Sequence, residues 1–381
     1  MSPVQPDDPR GDASRPPRGG AAAPAPARVP ALFRRFPELA ARIPWLPIGE
    51  FPTPVQPLVL GTAATKGAQL WIKRDDISAQ PYGGNKVRKL VFILADAKSR
   101  GIERLITVGA VGSHHALATT IYGRAHGFQV TLVLFPQPMN DHVRRILLLD
   151  HALGAELRFT PRMETVPAAM LAARLAYRGQ RVCVVAPGGS DAIGTLGYVS
   201  AALELAEQIA DGQAPRPDAV HVAAGTLGTA AGIAIGFALA GLDVPVSAVR
   251  ITGRIVTNER ALARLVSRTL AHLRKAGLAS AARRAAALRL VTLRHEFLGD
   301  GYGHETAAGR DAAALFRDAG LTLDPTYTAK AAAALLASVR EQRSGVHLFW
   351  HTLSAREPDA APSAAGVEAL PEPFRRLLDA P

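Results

Sequence analysis

From about residue 69 onward, short runs of β-branched and aliphatic residues alternate with longer stretches whose apolar positions recur with helical period. The short runs predict strands over 69–73, 104–108, 129–134, 181–185, 219–223 and 246–252. The longer stretches predict helices over 85–99, 115–125, 196–208 and 230–240. A strand, a helix and a second strand in succession make a βαβ unit, which sets its strands parallel and lays helices over the sheet. The pattern therefore predicts an α/β protein with mostly parallel sheets flanked by helices. Further on, Arg260, Arg264 and Arg268 recur every four residues, while Leu262, Val266, Leu270 and Leu273 keep to the opposite face. That spacing predicts an amphipathic helix with a solvated arginine face.

Residues 1–28 lack any such pattern and are rich in Pro, Ala, Gly and Arg, as in Arg15-Pro16-Pro17-Arg18-Gly19-Gly20. A disordered tail is expected there. It has no uninterrupted apolar core of a secretory signal, and Asp7, Asp8 and Asp12 argue against an organellar transit peptide. The most apolar later stretch, 229–242, is short and interrupted by Gly232, Gly236 and Gly241, so no membrane-spanning helix is expected. The 381 residues, 48% hydrophobic and 20% charged, suffice for two folded units with a cleft between them. No internal repeat is visible. The single cysteine, Cys183, excludes a disulfide within the chain and a Cys-rich metal site, and a reducing, cytoplasmic compartment is expected.

The net charge of +12 invites a nucleic-acid reading, but its distribution does not favour one. Between positions 250 and 294 lie eleven basic residues against Glu259 alone, so this stretch holds ten of the twelve net charges. It interleaves no aromatics and carries no recognition-module signature. The rest of the chain has the charge balance of an ordinary soluble enzyme.

Three segments can carry chemistry. The predicted strand at Ala219-Val220-His221-Val222-Ala223 runs into Gly225-Thr226-Leu227-Gly228-Thr229 and then an Ala-rich helix. A strand, a Gly/Thr loop and a helix N-terminus present backbone N–H groups and the positive end of the helix dipole, which suit a phosphate. The spacing is neither the Gly-Lys-Ser/Thr phosphate loop nor the GxGxxG fingerprint. The second segment is Tyr82-Gly83-Gly84-Asn85-Lys86-Val87-Arg88-Lys89-Leu90, in which Asn85 is expected as the helix N-cap and Lys86 in the first turn. Burial and the helix dipole would both favour the neutral amine, making Lys86 nucleophilic; the alternative is an ordinary surface lysine. The chain has only seven lysines and otherwise uses arginine, which cannot form a Schiff base. The third segment is Gly112-Ser113-His114-His115, where another helix start could hold a carboxylate and Ser113 could relay a proton. Adjacent histidines point to different helix faces, which disfavours a zinc site, and Gly112-Ser113-His114-His115-Ala116 is not the Gly-x-Ser-x-Gly of a hydrolase.

As an ordered set from about Phe51 to Thr352, these segments resemble the D-cysteine desulfhydrase and 1-aminocyclopropane-1-carboxylate deaminase family of pyridoxal-phosphate enzymes. Lys73-Arg74-Asp75-Asp76 with Gly83 to Leu90 is similar to the family's lysine segment, which implies Lys86 as the cofactor-bearing lysine, with Asn85 beside it. Ser113-His114-His115 falls on the Ser-Asn-His or Ser-Asn-Gln segment that contacts the substrate carboxylate and the cofactor hydroxyl. Pro187-Gly188-Gly189-Ser190 with Gly194-Thr195-Leu196-Gly197-Tyr198 resembles a further block, and Gly225 to Thr229 takes the place of the phosphate loop. Gly301-Tyr302-Gly303 and Asp324-Pro325-Thr326-Tyr327-Thr328-Ala329-Lys330 resemble the two tyrosine segments. Three positions depart from the family: His114 for Asn, Val91 for Glu, and Thr352-Leu353-Ser354 for Thr-Gly-Gly.

The resemblance implies a two-domain pyridoxal-phosphate fold of type II, tryptophan synthase β-like. Residues 29–92 and 189–381 would form the large cofactor domain, and 93–188 a smaller domain that closes over the substrate. It further implies Lys86, Ser113, Tyr302 and Tyr327 as catalytic, and Ser113, His114, His115, Tyr302 and Thr352 as substrate contacts. Thr328, where the deaminases carry a Glu facing the pyridine nitrogen, would leave the ring a weaker electron sink. That suits β-elimination better than opening an unactivated cyclopropane. The expected activity is β-elimination from a small amino acid, D-cysteine above all, to pyruvate, ammonia and sulfide, in a homodimer that binds neither nucleic acid nor membrane. The alternatives are the cyclopropane deaminase and a cofactor-binding protein with little turnover.

Overall fold

Ten strands, among the residues described, pair into two sheets. The computed structural model describes residues 29–61, 65, 67–279, 284–342, 344–358 and 367–379, so the 1–28 segment lies outside the described residues. In chain order the strands are β1 (Val55–Pro57), β2 (Gln69–Arg74), β3 (Arg104–Ala110), β4 (Gln129–Phe135) and β5 (Glu156–Phe159). They continue with β6 (Val182–Val184), β7 (Ala219–Ala224), β8 (Val246–Arg250), β9 (Val291–Arg294) and β10 (Val346–His351). The first sheet has the order β1-β2-β10-β7-β8-β9, parallel except for β1, and the second the order β5-β4-β3-β6, wholly parallel. The four-stranded sheet is thus drawn from residues 104–184 alone.

Every expected strand is present, with shifted ends. β3 and β4 run on to Ala110 and Phe135, whereas the run 246–252 stops at Arg250. Four strands escaped the pattern. β1 is an edge strand ending in a proline, and β5 and β9 have only four residues each. β10, central in its sheet, reads Val-His-Leu-Phe-Trp-His, and its histidines mask an otherwise apolar run. His347 is buried and pairs across the sheet with His221, Nδ1 to Nε2 at 3.3 Å.

The helices Asn85–Ser99, His114–Ala125, Leu196–Ala210 and Gly228–Ala240 lie within two residues of expectation. The last is buried on nearly all sides and packs against Leu196–Ala210. A Cβ on Gly232 would fall 2.4 Å from Tyr198 Cβ, and one on Gly236 2.5 Å from Ala202 Cβ. The glycines that interrupt this apolar stretch are thus what lets the two helices approach. Helix Glu259–Lys275 buries Leu262, Val266, Leu270 and Leu273 and exposes Arg260, Arg264 and Arg268, as its period requires.

A buried ionic cluster joins four of these elements. Arg88, from helix Asn85–Ser99, donates to Asp75 Oδ1 at 2.7 Å and Oδ2 at 2.9 Å, and to Glu204 Oε2 at 3.0 Å. Tyr198 OH at 2.6 Å and Trp350 Nε1 at 2.8 Å also donate to Asp75, and Lys73 donates to Glu204. Burial raises the Glu204 carboxyl, and Arg88 and Lys73 more than reverse this, holding it at about 2. β2, β10 and the helices Asn85–Ser99 and Leu196–Ala210 are therefore fixed together one turn from Lys86.

Candidate active site

A cavity of about 410 Å³ opens at the carboxyl ends of the parallel strands, where α/β sheets generally bind ligands. Both sheets contribute: Gly109 and Ala110 end β3, and Ala223 ends near the Gly225–Thr229 loop that follows β7.

The loop's left-handed position is not one of its glycines. Leu227 adopts φ 68°, the single positive φ of a non-glycine among the described residues, and its side chain is buried in the core. The helix starts at Gly228, whose N–H donates to Ser190 Oγ at 3.2 Å. Ser190 Oγ lies 2.6 Å from Thr226 Oγ1. Lys89 Nζ donates to Ser190 Oγ at 3.0 Å and to the Gly188 carbonyl at 2.9 Å, and a Cβ on Gly228 would fall 2.8 Å from this amine. Helix-terminal N–H groups, two hydroxyls and a buried amine in one cradle suit a phosphate. Lys89 went unnoticed in the sequence, although its spacing of three from Lys86 places both on one helix face.

Lys86 sits in the first turn of its helix and lines the cavity. The N-cap is Gly84, not Asn85 as the sequence suggested. Gly84 has φ 85° and lies so near β10 that a Cβ there would meet the Thr352 carbonyl at 2.8 Å. The Asn85 N–H donates to that carbonyl at 3.1 Å, which frees its side chain. Asn85 Oδ1 accepts from Lys86 Nζ at 2.7 Å, and Asn85 Nδ2 donates to Thr229 Oγ1 at 3.2 Å, tying the lysine to the phosphate cradle. Burial lowers the Lys86 amine to about 8, against the opposing pull of Asp324.

Ser113 caps helix His114–Ala125, accepting from Ala116 N at 3.3 Å, and lines the cavity with His114 and His115. His115 Nε2 lies 3.0 Å from Thr107 Oγ1. On the opposite wall the Tyr302 and Tyr327 hydroxyls meet at 2.7 Å, with the rings nearly perpendicular. Burial pushes Tyr302 up to about 12 and Tyr327 well above its ordinary value, so both remain phenols at neutral pH. Lys86 Nζ stands 6.0 Å from the centre of the Tyr327 ring.

Thr328 is brought to the site but stands behind its wall, 1% exposed. Its hydroxyl donates to Asp324 Oδ2 at 2.7 Å and accepts from Asp324 N at 2.8 Å. Asp324 lines the cavity and accepts the N–H groups of Thr326, Tyr327 and Thr328, capping helix Thr328–Gln342. This carboxylate was also missed; an Asp-Pro pair just before a helical run was its signal. Thr352 lines the cavity with Leu353, and Ser354 Oγ accepts from Gly83 N at 2.8 Å, so the altered Thr-Leu-Ser turn still holds the glycine pair. Apolar side chains of Phe135, Met163, Val166, Pro167 and Val256 also line the cavity. Among the described residues, no group of three or more His, Cys, Asp or Glu is arranged for a metal, and no helix is long and apolar enough to cross a membrane.

A poised lysine, a phosphate cradle and flanking phenols between two parallel sheets define a pyridoxal-phosphate enzyme of fold type II. The signature of pyridoxal-phosphate dependent enzymes matches residues 46–352, and the chain belongs to that family, in its D-cysteine desulfhydrase and 1-aminocyclopropane-1-carboxylate deaminase group. It is 37% identical to the nocardicin C-9' epimerase of Nocardia uniformis subsp. tsuyamanensis, over 83% of this chain and 94% of that protein. It is 34% identical to the D-cysteine desulfhydrase of Salmonella paratyphi C, over 82% and 94%. The crystal structure of an ACC deaminase homologue superimposes with a TM-score of 0.68 at 28% identity, covering 92% of this chain and 99% of that one.

Proposed function

We propose that this pyridoxal-phosphate enzyme is a lyase acting on a small amino acid, with β-elimination from D-cysteine to pyruvate, ammonia and sulfide as its reaction. The observation that carries the reading is the Lys86 amine, lowered to about 8 by burial and tethered through Asn85 to the phosphate cradle. The backbone of Gly225, Thr226, Leu227, Gly228 and Thr229, with Lys89, would hold the phosphate. Asn85, His114 and Asp324, with Thr328 behind it, would border the ring. When bound, pyridoxal phosphate supplies an electron sink for negative charge at the substrate Cα. Ser113 and His115, at a helix N-terminus, would orient the substrate carboxylate, with Tyr302 and Thr352 closing the pocket. The free Lys86 amine, or Ser113, takes the Cα proton, and the Tyr302–Tyr327 phenols provide a proton for the departing thiolate. We further propose that residues 93–188 move toward the rest of the chain to exclude water during the reaction.

Incubation with a panel of D- and L-amino acids and 1-aminocyclopropane-1-carboxylate tests this. Pyruvate with sulfide from D-cysteine is expected; 2-oxobutyrate from the cyclopropane would assign the deaminase instead. A second reading, epimerisation at Cα, is favoured by the apolar part of the cavity lining, which would accommodate a larger side chain, and by the likeness to a nocardicin epimerase. Chiral analysis of the recovered amino acid separates it from elimination. Bound cofactor with no change in any substrate would leave a binding protein with little turnover.

A further inference from the structure

His114 is the centre of a hydrogen-bonded chain that leads out of the cavity. Its Nδ1 lies 2.6 Å from the Tyr82 hydroxyl, and its Nε2 lies 3.3 Å from Nε2 of His142. Tyr82 is 5% exposed, and burial together with the carboxylates of Asp150 and Asp324 pushes its phenol up, so the hydroxyl donates to Nδ1. Burial lowers His114 to about 4, opposed by Asp324 and aided by His142 and Lys86, so its ring is neutral. The remaining proton therefore sits on Nε2, directed at His142. His142 is exposed, in the first turn of the helix Asp141–Ala152 beside Asp141.

Against this pair lies a second cavity of about 20 Å³, room for one water molecule. His114, His142, Gln137, Tyr302, Tyr327 and Asp324 border it, and Gln137 Oε1 is buried with no hydrogen-bond partner among the described residues. A water there would satisfy that oxygen. Four of these residues, His114, Tyr302, Asp324 and Tyr327, also line the main cavity, so the small space backs directly onto the reacting end.

We propose that His142, His114 and the polar cavity between them and the Tyr302–Tyr327 pair form a proton-exchange path between the reaction pocket and solvent. The proposal rests on the reading that the Tyr302–Tyr327 phenols give a proton to the departing thiolate. When a tyrosine gives its O–H proton to the pocket, it recovers one from the cavity water. That water is reprotonated by His142, which takes a proton from solvent and, no longer able to accept from His114, offers its own Nε2–H to the cavity. One proton enters for each one delivered, and no group is oxidised or reduced. His142 is a positioning and relay residue, since it touches no reacting atom.

Two measurements decide the matter. In the cofactor-free protein labelled with ¹⁵N-histidine, His114 should be the neutral Nε2–H tautomer, and Tyr82→Phe should release it to a mixture. An Nδ1–H tautomer in the native protein overturns the chain. In the loaded enzyme, sulfide release from D-cysteine reports delivery of the tyrosine proton, and Cα exchange of substrate recovered from D2O, which depends on Lys86 or Ser113, is the control. His142→Ala should lower turnover about tenfold relative to Cα exchange, with the visible cofactor band unchanged and with rescue by added imidazole. His142→Gln checks that a folded, uncharged side chain does the same. Unaltered turnover in both variants overturns the path. A native enzyme that exchanges no Cα proton with any amino acid overturns the functional reading instead, and the tautomer measurement then judges the path alone.

Discussion

At the scale of the residue, the Lys86 amine sets the pH behaviour of the site. Only the free amine attacks an aldehyde, and a group at about 8 rather than 10.5 is about a tenth free at pH 7, where an ordinary lysine is almost wholly protonated. The rate at which cofactor-free protein captures pyridoxal phosphate should therefore rise with pH to a plateau, with a midpoint near 8, in stopped-flow absorbance. A rise that continues past pH 10 would mean an unperturbed lysine. Lys86→Ala should lose the visible band and turnover together. The residues legible in the sequence were those whose chemistry depends on type and local order: Lys86, Ser113, the Gly225–Thr229 loop and the two tyrosines. Lys89, Asp324, Tyr82 and His142 were not, because their roles come from contacts across the fold. Tyr82 and His114 are 32 positions apart and His114 and His142 are 28, with no local spacing to announce them.

At the scale of the element, the Asp75–Arg88–Glu204 cluster seats the lysine helix. Glu204→Ala would leave Lys73 buried without its carboxylate and Arg88 with Asp75 alone, a loss on the order of 3–5 kcal/mol. Chemical denaturation at pH 7 checks it, and a loss below about 1 kcal/mol would mean that the cluster is a passenger. The pH dependence has a definite sign. Glu204 is held near 2 in the folded chain and titrates near 4.3 when unfolded, so its contribution is present above about pH 4.3 and fades as pH falls toward 2. The acid limb of the stability curve should therefore flatten in Glu204→Gln. Pattern alone placed the helices it named closely, but left others such as Asp141–Ala152 and Thr328–Gln342 unnamed. It lost β10, whose two buried histidines find their surroundings in neighbouring strands rather than in the local sequence.

At the scale of the whole molecule, the basic surface is separable from the chemistry. Reversing Arg260, Arg264 and Arg268 to Glu removes two charge units at each position, taking the net charge from +12 to +6. All three lie on the exposed face of helix Glu259–Lys275. Turnover and melting temperature should stay close to native, while retention on a cation exchanger falls. A variant with lost turnover would implicate this face in catalysis.

The reaction cavity has one wall from each sheet, with Ser113 following β3 and the phosphate cradle following β7. A molecule held by both walls acts as a removable rivet, and its binding free energy is added to the seam rather than to either sheet alone. At a free concentration of about one hundred times its dissociation constant that amounts to about 2.7 kcal/mol. In a calorimeter the loaded protein should melt in a single sharp endotherm, and stripping the cofactor should broaden it or divide it in two, with the lower step moving down in temperature. One unchanged endotherm after stripping would show that the two halves are already welded without it.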